Sequence, residues 1–348
     1  MKKFLLSIAA LAMSFVVSAQ VDVQHQRVGV VEQSPYFAQQ SVAEVKLSVA
    51  ANTYKRNLCI EEFTTEMCGN CPRVAGFLHT YLEEADPTRV FAVCHHAGYY
   101  TDWLTKACDK KLLYLFNDNG TTFAPAMMFN REPDFNSAYA TGQKDNVVIP
   151  GSATEISKYA SKYLNKTMAD AKLDVSVTYN ESEGKAVIVV TGESNDVYDK
   201  ESALLTLYLT EDNVKEKDQS GVSFGTTFYH QHVIRDFNSN WGDQVTWEGN
   251  KFSATYEFDV DSEWKKDDLK VVAFLNKHST KSRLDNRIEN VAGKNLIAKP
   301  TAIESVGSAD NAVEVARYNA AGQRINGKQK GLNIVKLSNG KTLKIMVK

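Results

Sequence analysis

The chain has 348 residues, 43% of them hydrophobic and 24% charged, with a formal net charge of -2. That length and composition fit a globular protein of two or three domains, and the near-zero charge excludes a nucleic-acid binder, which needs a basic surface. Five cysteines are too few for a disulfide-stapled mini-protein, and all fall between Cys59 and Cys108.

At the start, Lys2 and Lys3 precede an apolar run from Phe4 to Val17, and Val17-Ser18-Ala19 supplies the small residues of a cleavage site. This predicts a signal peptide over 1–19 and an exported protein. The run is too short for a permanent membrane span, and the residue after Ala19 is Gln20, not a cysteine that could carry a lipid. In an oxidising compartment an unpaired thiol is a liability unless buried or used, so the cysteine cluster points to one redox-relevant domain. Residues 20–52 lack clear periodicity and read as a leader segment.

From Asn57 the pattern sharpens. Asn57–Thr64 and Arg89–His95 are mostly apolar runs expected to form buried strands, and Pro125–Asn130 reads as a third. Between them, Val74, Phe77, Leu78, Tyr81, Leu82 and Ala85 recur at helical spacing behind Pro72, and Leu104 to Leu115 trace a second helix. Ser152 and Glu155 form a capping box that opens a third, reaching Leu164. Alternating strands and helices predict an α/β layered domain over 53–168. After Ala171 the style changes. Leu173–Tyr179, Ala186–Thr191, Leu204–Leu209, Phe228–Ile234, Phe252–Val260 and Leu269–Phe274 are strand candidates without helical periodicity between them. They predict an antiparallel β-sandwich over 169–295. Residues 291–303 read as a linker, and 296–348 as linker plus a small β module with strands at Val313–Tyr318, Leu332–Leu337 and Leu343–Val347. From Val315 to Lys348 there is no acidic residue.

The chemistry concentrates at Cys68-Gly69-Asn70-Cys71-Pro72. A cysteine at a helix N-terminus meets unsatisfied N–H groups and the positive end of the macrodipole, which favour its thiolate. A second cysteine one turn on can resolve the mixed disulfide. Cys68 fits the first role and Cys71 the second. Half a zinc site has the same spacing, but no second CxxC or CxH pair completes one. No metal or cofactor is expected. Cys59, Cys94 and Cys108 read as small buried hydrophobes, with a Cys59–Cys94 disulfide between neighbouring strands left open. His95-His96 reads as a polar strand end, and His230 and His232 as alternating onto one strand face.

Glu62-Phe63 through Met67-Cys68-Gly69-Asn70-Cys71-Pro72 resembles the active-site segment of thioredoxins and protein disulfide isomerases. That resemblance implies that Glu62 moves protons for the second thiol. Gly120-Thr121-Thr122-Phe123-Ala124-Pro125 resembles the loop carrying their cis-proline, which implies that Pro125 presents backbone to a substrate. Met67 stands where those families have Trp, and Ala126 where they have Thr. Up to about residue 295 the chain also resembles the outer-membrane-protein-28-related family. The matching features are the CxxC block, Met128-Phe129-Asn130-Arg131, Tyr229-His230-Gln231-His232-Val233-Ile234-Arg235 and Trp241-Gly242-Asp243. This implies a thioredoxin-like domain followed by an immunoglobulin-like sandwich, on the outer membrane or cell surface, with the periplasm as alternative. Tyr318 to Arg324, Lys330 to Val335 and Lys344 to Lys348 resemble a type IX secretion sorting domain.

Two functions follow as expectations. One is a thiol–disulfide oxidoreductase with Cys68, Cys71, Glu62 and Pro125 as its site and protein thiols or disulfides as partners. The other is a surface binding or adhesion protein using the same fold as scaffold. Contact with secretion machinery through the C-terminal segment is expected, and membrane contact only peripherally or through surface attachment.

Overall fold

The computed structural model describes residues 53–116, 121–136, 144–166, 168–297, 314–337 and 342–347. The expected signal peptide, the leader and residues 298–303 of the expected linker lie outside the described residues. The described residues are mostly β, with 44% strand and 15% helix.

The first long strand, β1 (Leu58–Thr64), is buried along its whole length, as its unbroken apolar character requires. It leads into α1 (Cys71–Glu84) and the parallel strand β2 (Val90–His96). A short helix α2 (Ala107–Leu112) follows, running on into a 3-10 turn at Leu113–Leu115. The predicted helix began earlier, at Leu104. There the chain instead makes a turn in which the Asp102 N–H donates to Thr105 Oγ1 at 2.8 Å and Thr105 Oγ1 donates to the His96 carbonyl at 2.6 Å. Strand β3 (Ala126–Phe129) pairs antiparallel with β1, and α3 (Ala153–Lys166) packs beside α1 on the face carrying Leu58, Ile60 and Ala92.

The second half supplies β4 (Ala171–Asn180), β5 (Lys185–Ser194), β6 (Leu204–Glu211), the hairpin β7 (Val214–Glu216) and β8 (Phe228–His230), and β9 (Val233–Phe237). Then come β10 (Asp243–Gln244), β11 (Trp247–Glu248), β12 (Lys251–Asp259), β13 (Leu269–Asn276) and β14 (Ile288–Asn295). Two sheets form. One has the order β11-β12-β5-β4; the other is eight-stranded, β14-β13-β6-β9-β2-β1-β3, with β10 also on β6. Period-two alternation makes the shared core. Ala186, Ile188 and Val190 of β5 face Leu205, Leu207 and Leu209 of β6 and Val271, Ala273 and Leu275 of β13.

The eight-stranded sheet runs straight through the border between the two predicted regions. Parallel β9 joins β2 at one register pair, Val233 with Cys94, where the Cys94 N–H donates to the His232 carbonyl at 2.8 Å. The sheet also coils back on itself. Arg56 donates to the Ile288 carbonyl at 2.8 Å, and the Ile288 N–H donates to the Asn130 carbonyl at 2.9 Å, so β14 lies against β1 and β3 from the far end of the order. β6 and β13 are thereby buried on both faces, with Tyr208, Val272 and Phe274 meeting Cys59, Phe91 and Val93.

Two expectations are corrected. Residues 291–295, expected as the start of the linker, belong to strand β14, paired along β13. Its Gly293 leaves room for the Phe91 ring, which would stand 2.8 Å from an added Cβ. The predicted strand Phe228–Ile234 is broken at His232, where φ is +58, so β8 and β9 belong to different sheets. His230 and His232 therefore do not share a strand face. The tail forms its own four-stranded antiparallel sheet, Arg324–Ile325, Glu314–Asn319, Gly331–Leu337 and Thr342–Val347 in that order. In it the buried Arg317 grips Glu314 through two hydrogen bonds of 2.9 and 2.6 Å.

An ionic cluster lies on the enclosed face of the coiled sheet. Arg131 holds Glu61 through two hydrogen bonds of 2.8 and 2.6 Å, and its guanidinium lies over Phe274. His95 bridges Glu61 at 3.3 Å and Asp109 at 2.8 Å. Burial works against the Glu61 charge, but Arg131 and then His95 hold its carboxyl down at about 2. His95 is thus no polar strand end; it is fully buried. Removing one partner of such a pair strands a charge in the interior. Arg131→Ala is expected to lower the unfolding free energy by about 3–5 kcal/mol in chemical denaturation, and the double change Glu61→Gln with Arg131→Met by much less.

Candidate functional site

The turn between β1 and α1 carries Cys68 and Cys71, which form a disulfide with Cα atoms 5.4 Å apart. The helix begins at Cys71, not at Cys68, with Asn70 at the N-cap and Pro72 in the first turn, where a missing N–H costs nothing. Cys68 sits in the preceding turn. Its N–H donates to the Thr65 carbonyl at 3.1 Å, and its carbonyl accepts from the Cys71 N–H at 3.3 Å. Both cysteines are buried, 3% and 1% exposed.

Register brings Pro125 to the same end of the sheet. Ala126 pairs with Phe63 across β3 and β1, so Pro125 follows on beside the end of β1 that feeds the cysteine turn. The Ala124–Pro125 peptide bond is cis. Met67, just before the pair, is half exposed, and Ala126 is buried.

Glu62 points to the α1 side of β1, alternating with Glu61 on the other. It is 4% exposed, its Oε1 has no hydrogen-bond partner, and burial pushes its carboxyl up to about 8. With Cys94, Leu78 and His230 it lines a cavity of about 30 Å³, enough for a water molecule. Across the cavity His230, also buried with a partnerless Nε2, is held neutral by its burial, which lowers its pKa to about 3. His230 meets His96 edge to face at 4.6 Å. His96 in turn pairs with Asp102 at 2.8 Å, and the same carboxylate oxygen accepts the Glu66 N–H at 3.0 Å. Asp102 therefore ties the end of β2 to the cysteine turn.

The structure thus brings Cys68, Cys71, Glu62 and Pro125 to one end of the β1–β3 layer and adds His96, Asp102 and His230, which sequence reasoning missed. The one local signal for Asp102 was its turn with Thr105. Cys59 and Cys94 are both free thiols. They project from opposite faces of the sheet, Cys59 toward Phe91 and Cys108, Cys94 toward Glu62, so the disulfide left open between them does not form. Burial raises the thiol pKa of both well above the usual value, which suits packing more than nucleophilic chemistry.

A carboxyl whose pKa is raised on folding stabilises the fold below its unfolded value and loses that contribution as pH rises toward the folded one. For Glu62 that window runs from the usual carboxyl range up to about 8. Wild-type stability, followed by denaturant midpoint, is expected to fall across it relative to Glu62→Gln. The gap should open at about 1.4 kcal/mol per pH unit, to about 3 kcal/mol by pH 7.

Comparison with known proteins adds the following. The family described as outer membrane protein Omp28 matches residues 114–298, just over half of the chain. The match begins after the cysteine motif, so it covers less than the resemblance read from the sequence. HBP35 of Porphyromonas gingivalis has a similar fold, with a TM-score of 0.59 and 24% identity, over 85% of this chain and 99% of that one. No curated protein sequence matches.

Proposed function

From the premise that this chain belongs to the Omp28 outer membrane protein family, we propose that it is an exported, surface-located thiol–disulfide oxidoreductase. In this reading residues 53–168 are a thioredoxin-like domain, 169–295 an immunoglobulin-like sandwich, and the C-terminal sheet a type IX secretion sorting module that contacts the export machinery. The observation that carries the redox reading is the Cys68–Cys71 disulfide at the start of α1, with a protonatable Glu62 buried on the strand that leads to it. The family name supports the surface location.

In the disulfide form the pair accepts two electrons. A substrate thiolate attacks Cys68 Sγ, the S–S bond breaks, and Cys71 leaves as a thiolate. Glu62, which holds its proton at neutral pH, supplies it to that leaving sulfur. A second substrate thiol then displaces Cys68, so the substrate ends as a disulfide and the pair as two thiols. Pro125 contributes a fixed stretch of backbone beside the pair. The test is oxidative refolding of a reduced protein substrate by the mature chain. Cys68→Ser is expected to fall to the uncatalysed rate, and equal rates for variant and wild type would sink the proposal.

The near-complete burial of both cysteines favours a second reading, a surface binding protein in which the disulfide only staples the turn. A reduction potential below about -300 mV would mark such an inert bridge, against about -270 mV or higher for an exchanging pair.

A further inference from the structure

A distant part of the chain lies against the turn that holds the cysteine pair. Hairpin β7–β8 carries the loop 217–227, and three successive residues of that loop lie on the cysteine turn. The buried Gln219 donates Nε2 to the Thr65 carbonyl at 3.3 Å and to the Cys68 carbonyl at 3.2 Å. The Ser220 N–H donates to the Glu66 carbonyl at 2.7 Å. Gly221, at φ +83, approaches so closely that an added Cβ would stand 1.9 Å from the Gly69 oxygen. Only glycine takes both that backbone conformation and that distance.

The way this segment is held matters as much as where it lies. Its grip on the turn consists of hydrogen bonds to three backbone carbonyls, which water can replace. None of residues 217–227 belongs to a hydrophobic core cluster, and Phe224 at its tip is fully exposed. The base, by contrast, is anchored. Glu216 accepts the Trp103 indole N–H at 2.6 Å and pairs with Phe228 across the hairpin. Such a segment opens more easily than the sheet beneath it.

We infer that Gln219–Gly221 is a lid over the disulfide, and that exchange at Cys68 proceeds only while it is raised. The inference rests on the redox reading of the same pair, but the reagent that tests it needs no enzyme activity. A small dithiol attacks Cys68 Sγ, Cys71 leaves as thiolate and takes a proton from solvent, and the reagent's second thiol closes a ring that releases Cys68. The reagent loses two electrons and the pair gains them. With a lid, the observed rate is the intrinsic rate multiplied by the open fraction.

The experiment follows reduction of the oxidised mature chain by dithiothreitol, with thiol trapping and mass spectrometry. Two variants are compared with wild type: Gly221→Ala, and a chain in which residues 217–227 are replaced by an Asn-Gly turn. Because Glu216 and Phe228 are directly paired, a two-residue turn closes that ladder without disturbing the sheets. Both variants are expected to be reduced at least about tenfold faster than wild type, as a lid closed most of the time requires. If Gly221→Ala does not fold, the excised chain decides alone. A folded excised chain reduced at the wild-type rate overturns the lid. Faster reduction in a protein whose Cys68→Ser variant refolds substrate as well as wild type would keep the lid and remove the oxidoreductase. Wild-type reduction rates with refolding activity intact would do the reverse.

Discussion

The contact on which the rest of the structure depends is the buried salt bridge between Arg131 and Glu61. Arg131 follows β3, Glu61 is in the middle of β1, and the guanidinium lies over Phe274 of β13, so one side chain touches both halves of the chain. Two buried carboxylates, Glu61 and Asp109, meet one arginine and one histidine, and with His95 protonated the cluster is neutral. A charged group without such balance would cost several kcal/mol in an interior of low dielectric. The arrangement has a backbone cost too. Asn130 and Arg131 both adopt left-handed φ values, 50 and 52, at about 1–3 kcal/mol each for strained residues of this kind. The Asn130 side chain offsets part of it by accepting the Cys59 N–H at 2.8 Å.

That cluster explains why the two halves cannot be treated as beads on a string. The face of β1 and β2 opposite α1 is buried against β6, β13 and β14, and it holds the charges just described. The α1 face holds Glu62 and the cavity. β1 therefore carries two adjacent carboxyls with opposite fates. Glu61 is ionised because Arg131 meets it; Glu62 keeps its proton because nothing charged does. The same strand uses the first in its fold and turns the second into the cavity beside α1.

How much of this was legible in the sequence follows from how local each signal is. Strands buried on both faces, such as Leu58–Thr64 and Leu204–Glu211, announce themselves as apolar runs, and the helix behind Pro72 shows in its spacing. The CxxC motif and Pro125 were legible as chemistry because turn and proline each carry their meaning within a few residues. Strand Ile288–Asn295 was not, because an edge strand with Gly293 packed against Phe91 looks like linker. His95 and His96 looked like a polar strand end because their partners Asp109 and Asp102 lie in the loop and helix beyond. Arg131 lies 70 residues from Glu61 and Gln219 lies 151 from Cys68, separations at which no periodicity can speak.

The burial of the cysteine pair sets the terms on which its chemistry must be judged. A disulfide that merely staples a turn gains from being buried, and nothing about it calls for a raised carboxyl on the preceding strand. Glu62 is costly where it stands, since a hydrocarbon side chain would fill the α1 face with no buried polar atom left unpaired. The expense makes sense if the proton is used. The loop that lies on the cysteine turn, meanwhile, is attached through polar contacts that solvent can replace, not through an apolar interface. On the proposed reading, buried cysteines, a protonated carboxyl on the strand that leads to them and a loop without a core of its own are the parts of a protected exchange site.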